Sequence, residues 1–334
     1  MLRMGVIGYG YWGPNIVRNF SAANGSMVSM VCDMNAQTHK KVKKAYPHIR
    51  LTTDPALLIK DPEVDAVAIA TPVFTHFELA KMALQEGKSI FVEKPFTYTV
   101  SEAETLIELA QKKNLKIMVD HTFLYTGSVR KIKQLIDDHV LGDLYYFDSA
   151  RVNLGLFQHD VNVVWDLAPH DISIMHYVIG DKPQAVVATG AEHFGRKLED
   201  IAYLTIYYPR NVIAHINVNW LSPVKVRLTF IGGKKKMLVW DDVEPDEKIR
   251  IYDKGVEVRT KEGQYNLLVA YRSGDMWAPK IEQTEALKLI AEKFVDYVSN
   301  GGTVVNDGLA GLNVVRMLTA ANESLSNKGK MVYL

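Results

Sequence analysis

With 334 residues, 48% of them hydrophobic and 23% charged, the chain has an ordinary soluble-globular composition and is long enough for two cores rather than one. Thirty-nine basic residues stand against 38 acidic ones, a formal net charge of +1, which offers no overall field for nucleic acid or an anionic membrane surface. The single cysteine, Cys32, cannot form an internal disulfide, no apolar run is long enough to span a bilayer and no secretory leader pattern precedes the first strand, so a cytoplasmic home is expected.

From Met4 to about residue 119, short apolar runs (MGVIG, MVSMVCD, VDAVAIA, KSIFVE, LKIMVD) alternate with amphipathic stretches such as FTHFELAKMALQEGK and SEAETLIELAQKKN. Continuous apolar strands separated by helices predict a parallel, doubly wound α/β sheet covered on both faces. Ser101 and Glu104 fit a capping box for one helix, and Gly87 fits the end of another. A further amphipathic helix is predicted near 127–138. Beyond it the texture changes to strand after strand, from DLYYFDSARVNL to KMLVWDD, with one helix inserted near 166–179. The basic run Lys234-Lys235-Lys236 reads as a solvated hairpin turn. The tail closes with two helices and the short strand MVYL. The expected organisation is a dinucleotide-binding domain over 1–121 and an α+β domain with a large, mostly antiparallel sheet over 122–334.

Gly8, Gly10 and Gly13 satisfy G-x-G-x-x-G. The pattern alone is weak, but here it follows an apolar strand and opens a helix, with Pro14 in the first turn, where its missing N–H costs nothing. Only the glycines must be small. Tyr9, Tyr11 and Trp12 contribute mainly backbone, and the N–H groups of Tyr11 and Trp12 can face phosphates while their rings wall the nicotinamide side. Asp33 ends the next strand, where a carboxylate accepts hydrogen bonds from ribose hydroxyls and repels a 2′-phosphate. Lys40 and Lys41 read as a solvated helix face, and NAD rather than NADP is the expected cofactor.

Ligands in open α/β sheets bind outside the carboxyl ends of strands. That places Ala70-Thr71-Pro72, with His76 in the helix behind it, and Glu93-Lys94-Pro95 at the edge of the cofactor crevice, together with His121. In WDLAPHDIS a helix beginning at Asp166 puts Asp166 and His170 on one face, with Pro169 in its first turn. Taken alone, these two could be an N-cap and a packed histidine.

GYGYWG after the first strand, ATP-x-x-x-H, EKP and D-x-x-x-H resemble, in order and over nearly the whole chain, the glucose-fructose oxidoreductase, inositol dehydrogenase and rhizopine-catabolism (Gfo/Idh/MocA) family of NAD(P)-dependent sugar and polyol oxidoreductases. Many relatives carry D-x-G-x-H where this chain has Asp166-Leu167-Ala168-Pro169-His170. The resemblance implies Lys94 and His170 as the catalytic pair, Asp166 as an orienting or relay carboxylate, and a cis Lys94–Pro95 bond. A histidine titrates near neutrality and suits the role of base on a carbinol hydroxyl, and a lysine ammonium stabilises alkoxide character on the same oxygen. Lys94, Tyr125, Asn153, Trp165, Asp166 and His170 are the substrate-binding candidates, with Trp220 and Arg272 as further possibilities. No metal is called for.

YWGPNIVRNF, WLSPVKVR and YRSGD are similar to the branch that oxidises C3 of UDP-N-acetylglucosamine or its uronic acid. The alternatives are a free-sugar or inositol dehydrogenase or reductase, and a non-catalytic sugar or dinucleotide sensor. The resemblance further implies a homodimer or homotetramer, and the broad sheet and the two C-terminal helices read from the chain are the expected interfaces.

Overall fold

A computed structural model describes residues 1–155, 158, 160–258 and 269–334, with backbone alone for 255–258 and 269–272. The chain divides into two compact units: Met1–Thr126 with Thr284–Thr319, and Gly127–Gln283 with Ala320–Leu334.

In the first unit, β1 (Leu2–Ile7), β2 (Ser26–Cys32), β3 (Arg50–Thr52), β4 (Ala66–Ile69), β5 (Ser89–Val92) and β6 (Ile117–Val119) form one parallel sheet in the order β3-β2-β1-β4-β5-β6. This is the doubly wound dinucleotide-binding order, with its crevice where the order reverses between β1 and β4. Strands β4 and β5 are buried at every position, which is why they read as unbroken apolar runs. The three-residue β3 gave too short a run to be seen in the sequence.

Helix α1 (Gly13–Ala22) follows the glycine turn, with Trp12 as N-cap and Pro14 in its first turn. Helix α4 (His76–Gln85) ends just before Gly87, whose φ is +76°. For α5 (Val100–Lys112) the capping box lies two residues earlier than expected. Thr99 Oγ1 accepts from Glu102 N at 3.3 Å and Glu102 Oε2 accepts from Thr99 N at 2.9 Å.

The expected boundary at 121 moves, because a C-terminal segment belongs to this unit. In α8 (Ala286–Asn300) Phe294 makes edge-on contacts with Phe20 and Phe91, with ring centroids 5.7 Å from each. Asn306 donates to Val119 O at 2.6 Å and accepts from Tyr125 Oη at 2.7 Å. Apolar burial and two buried hydrogen bonds therefore tie 284–319 to the dinucleotide sheet.

The second unit is built on a nine-stranded sheet. At its centre β7 (Leu144–Val152) pairs parallel with β10 (Ile213–Asn219) and antiparallel with β11 (Val226–Gly233). Beyond β10 come β9 (Ile201–Tyr207) and β8 (Ala185–Ala191), and beyond β11 comes β12 (Met237–Asp241). Lys234 and Lys235 are exposed in the β11–β12 hairpin, as expected. The inner faces of β7, β9 and β10 alternate buried residues toward α7 (Val163–Ile179), which packs on this sheet. Helix α9 (Gly308–Ser326) and β17 (Val332–Tyr333) complete the chain. Among the described residues no helix is long and apolar enough to cross a membrane.

Candidate active site

The glycine turn is built by close backbone approach. Gly8 has φ +94°, and a Cβ there would lie 2.4 Å from Ala70 O; one on Gly13 would lie 2.4 Å from Gly8 O. Neither position tolerates a side chain. Gly8 N donates to Cys32 O at 2.8 Å, carrying the β1–β2 ladder up to the turn. Tyr9 is buried and its N–H donates to Asp33 Oδ2 at 2.7 Å, while Asn35 N donates to Asp33 Oδ1 at 2.8 Å. Each carboxylate oxygen keeps a lone pair for a ribose hydroxyl. Tyr11 and Trp12 stand out from the turn, 80% and 42% exposed, as an edge-on pair with centroids 5.4 Å apart.

Beside the turn lies a cavity of about 530 Å³, lined by Gly8, Gly10 and Asp33 on one side and Ala70, Thr71 and Pro72 on the other. All six are expected cofactor positions. Met34, Pro55, Phe74, Thr75, Glu78 and Leu79 also line it and were not anticipated. The helical spacing of Thr75, Glu78 and Leu79 was the available signal. The cradle that a Cβ would fill, the held carboxylate and the apolar walls fit an adenosine diphosphate moiety. Gly8, Gly10, Gly13, Asp33 and the 70–72 loop would hold it.

Three expected cofactor contacts turn inward instead. His76 is 1% exposed, with Nδ1 2.9 Å from Pro95 O and Nε2 2.8 Å from Thr71 O. It clamps the two loops from behind. Burial pushes its imidazole below the usual histidine range, against the carbonyl contacts that pull it up. Glu93 is buried and its Oε2 accepts Lys94 N at 3.1 Å. His121 is buried as well. Lys94 itself is half-buried, and the Lys94–Pro95 bond is cis. The Tyr125 hydroxyl, expected at substrate, donates to Asn306.

In the second unit α7 begins at Val163, three residues before the expected start, because Asn162 caps it by accepting Trp165 N at 3.2 Å. Pro169 therefore lies inside the helix, where it contributes no N–H to the ladder. Asp166 and His170 still share a face one turn apart, both half-buried. Trp220 is buried and donates its Nε1–H to Asp166 Oδ2 at 3.0 Å, so it orients that carboxylate. Beneath the next residue, Arg151 on β7 meets Asp171 with Nε–Oδ2 2.5 Å, and both side chains are at most 4% exposed. Trp165 is buried in the core, and half-buried Asn153 donates its backbone N–H to Asn219 O at 3.1 Å. The Arg272 side chain lies outside the described residues.

A turn, an acid and a strand order of this kind define a dinucleotide-binding domain of the NAD type. The family models for the NAD-binding Rossmann fold of the oxidoreductase family and for the GFO/IDH/MocA C-terminal domain match residues 2–121 and 129–238. The oxidoreductase YdgJ of Escherichia coli is 31% identical over 74% of this chain and 73% of its own. The chain belongs to the Gfo/Idh/MocA family. It is also similar to UDP-N-acetylglucosamine 3-dehydrogenase of Acidithiobacillus ferrooxidans, at 26% identity over 94% of each chain. A solved structure of that enzyme superposes with a TM-score of 0.82 over 98% of each chain. Myo-inositol 2-dehydrogenase of Thermotoga maritima is 24% identical over 57% of this chain and 58% of its own.

Proposed function

We propose that the chain oxidises a secondary hydroxyl, at C3, of a UDP-N-acetylhexosamine or its uronic acid, giving the 3-keto sugar. The observation that carries this reading is the end-to-end similarity to a UDP-N-acetylglucosamine 3-dehydrogenase, joined to the Asp166–His170 face of α7. NAD, when bound, supplies the two-electron acceptor for the carbinol hydrogen. His170 takes the hydroxyl proton, and the Lys94 ammonium donates a hydrogen bond to the same oxygen as alkoxide character grows. Asp166, held by Trp220, orients the sugar or the imidazole. The myo-inositol 2-dehydrogenase relative favours a second reading, a free-polyol dehydrogenase. Cytoplasmic action and a homodimer or homotetramer accompany the proposal, supported by the lone buried cysteine and the exposed tyrosines Tyr203 and Tyr207 on the large sheet.

The test is NADH formation across UDP-N-acetylglucosamine, its uronic acid, free hexoses and myo-inositol. Turnover on a UDP-sugar is expected, with Lys94→Ala and His170→Ala each lowering kcat by roughly 10²- to 10⁴-fold. Turnover on myo-inositol alone selects the second reading, and cofactor binding without turnover on any member makes the chain a sensor.

A further inference from the structure

Two buried acids beside Lys94 have no part in the chemistry above. Glu93 and Asp120 directly follow β5 and β6, and Val92 pairs with Val119 in that parallel register, so the two carboxyl groups emerge side by side. They are 7% and 3% exposed, and Asp120 N donates to Val92 O at 2.7 Å, which fixes the two residues at neighbouring strand ends. Glu93 Oε2 also accepts Lys94 N at 3.1 Å, and Thr122 Oγ1 donates to Asp120 Oδ1. Two ionised carboxylates buried at paired strand ends repel each other and, being acceptors only, cannot bond, so one of them carries a proton. Asp120 has the hydroxyl donor that favours an anion. Glu93 is the member that burial, and then its neighbour Asp120, push well above the usual carboxylate range. Asp120 is raised by burial too, but the hydrogen bonds from Thr122 and Glu93 and the Lys94 charge act to hold it down.

We propose that Glu93 and Asp120 form a proton-sharing pair that positions Lys94, with Glu93 the neutral donor and Asp120 the single buried anion beside the ammonium. This rests on the reading of Lys94 as the group that holds the reacting oxygen. The pair supplies one negative charge, matched to one ammonium. Two anions would be too costly to bury, and none would leave the lysine without its local counter-charge. Glu93 also ties the lysine backbone, so charge and position come from the same two side chains. Neither acid touches substrate in this scheme; both act through Lys94.

A merely structural pair would respond alike to loss of either acid, whereas a proton-sharing pair responds unequally. Glutamine copies a protonated glutamic acid, with one donor and one acceptor, whereas asparagine at 120 abolishes the anion. The experiment measures acetylation of Lys94 by acetic anhydride at one alkaline pH, by mass spectrometry, on NAD-loaded wild type, Glu93→Gln and Asp120→Asn. Glu93→Gln is expected to leave the labelling rate within about twofold, and Asp120→Asn to raise it roughly tenfold, as loss of a neighbouring opposite charge does. Isotope-edited infrared spectra of wild type with labelled glutamate make the test independent of how the variants fold. A protonated glutamic carbonyl band is expected at neutral pH. Equal labelling of the two single variants, or absence of that band in wild type, overturns the proposal. Labelling asks nothing of turnover, so a fully active Lys94→Ala would remove the catalytic reading while the pair is judged on its own chemistry.

Discussion

In the first unit the groups offered to a ligand are largely backbone at strand ends: the N–H groups of the glycine turn and a loop after β4, with Asp33 itself held by two backbone N–H donors. In the second unit the groups proposed to act are side chains, Asp166 and His170 on α7, and their placement depends on what lies beneath the helix. There the seat is a charged pair, Arg151 with Asp171, both buried. A strand-end loop is fixed by the sheet's own hydrogen bonds and is exposed to damage mainly at positions where a Cβ cannot fit. A helix face seated on a buried ion pair is exposed through a single side chain far from it in sequence.

The contrast breaks most sharply at Arg151. Arg151→Met leaves Asp171 as an uncompensated buried charge and is expected to cost about 3–5 kcal/mol in a urea titration, with loss of turnover at the growth temperature. A change below about 1 kcal/mol would show that the helix does not depend on the pair.

His176, lower on the same helix, gives the second unit a pH dependence. Burial pushes its imidazole down to about 4, and its Nε2 makes no hydrogen bond among the described residues. Between about 6.5 and about 4 the unfolded chain binds a proton that the folded chain refuses, so stability falls as pH drops through that window. The full effect is about 3 kcal/mol, at 1.36 kcal/mol per pH unit of displacement. Urea midpoints at neutral and mildly acidic pH check this, and His176→Leu is expected to flatten the slope.

The smallest effect belongs to the glycine turn. Tyr11 is 80% exposed, so Tyr11→Ala is expected to leave stability within about 0.5 kcal/mol. The same change is expected to weaken NADH binding roughly threefold if its ring walls the nicotinamide, as one aromatic contact would. Fluorescence titration with NADH reads it.

The sequence made the first sheet legible because strands covered on both faces are unbroken apolar runs, and it made the turn, Asp33 and the Asp166–His170 spacing legible because those are local patterns. Side-chain direction was not legible. Glu93, His76 and Tyr125 were expected to face ligand, yet each spends its polar atoms on neighbours: Glu93 on Lys94 N, His76 on two loop carbonyls, Tyr125 on Asn306, 181 positions away. The start of α7 was missed because Asn162, a good cap, stands ahead of a run that continues the same apolar texture. Arg151 and Asp171, or Trp220 and Asp166, could not be matched from spacing, since their separations are set by sheet topology.

The clamp formed by His76 has a consequence of its own. Its two nitrogens sit 2.9 Å and 2.8 Å from two carbonyl oxygens of different loops, so one buried ring spans both. Thr71 belongs to the wall of the cavity beside the glycine turn and Pro95 follows the lysine, so both loops lean on one side chain. A change at position 76 therefore reaches the floor of the cofactor cavity and the peptide next to Lys94 together, like a hinge pin shared by two leaves.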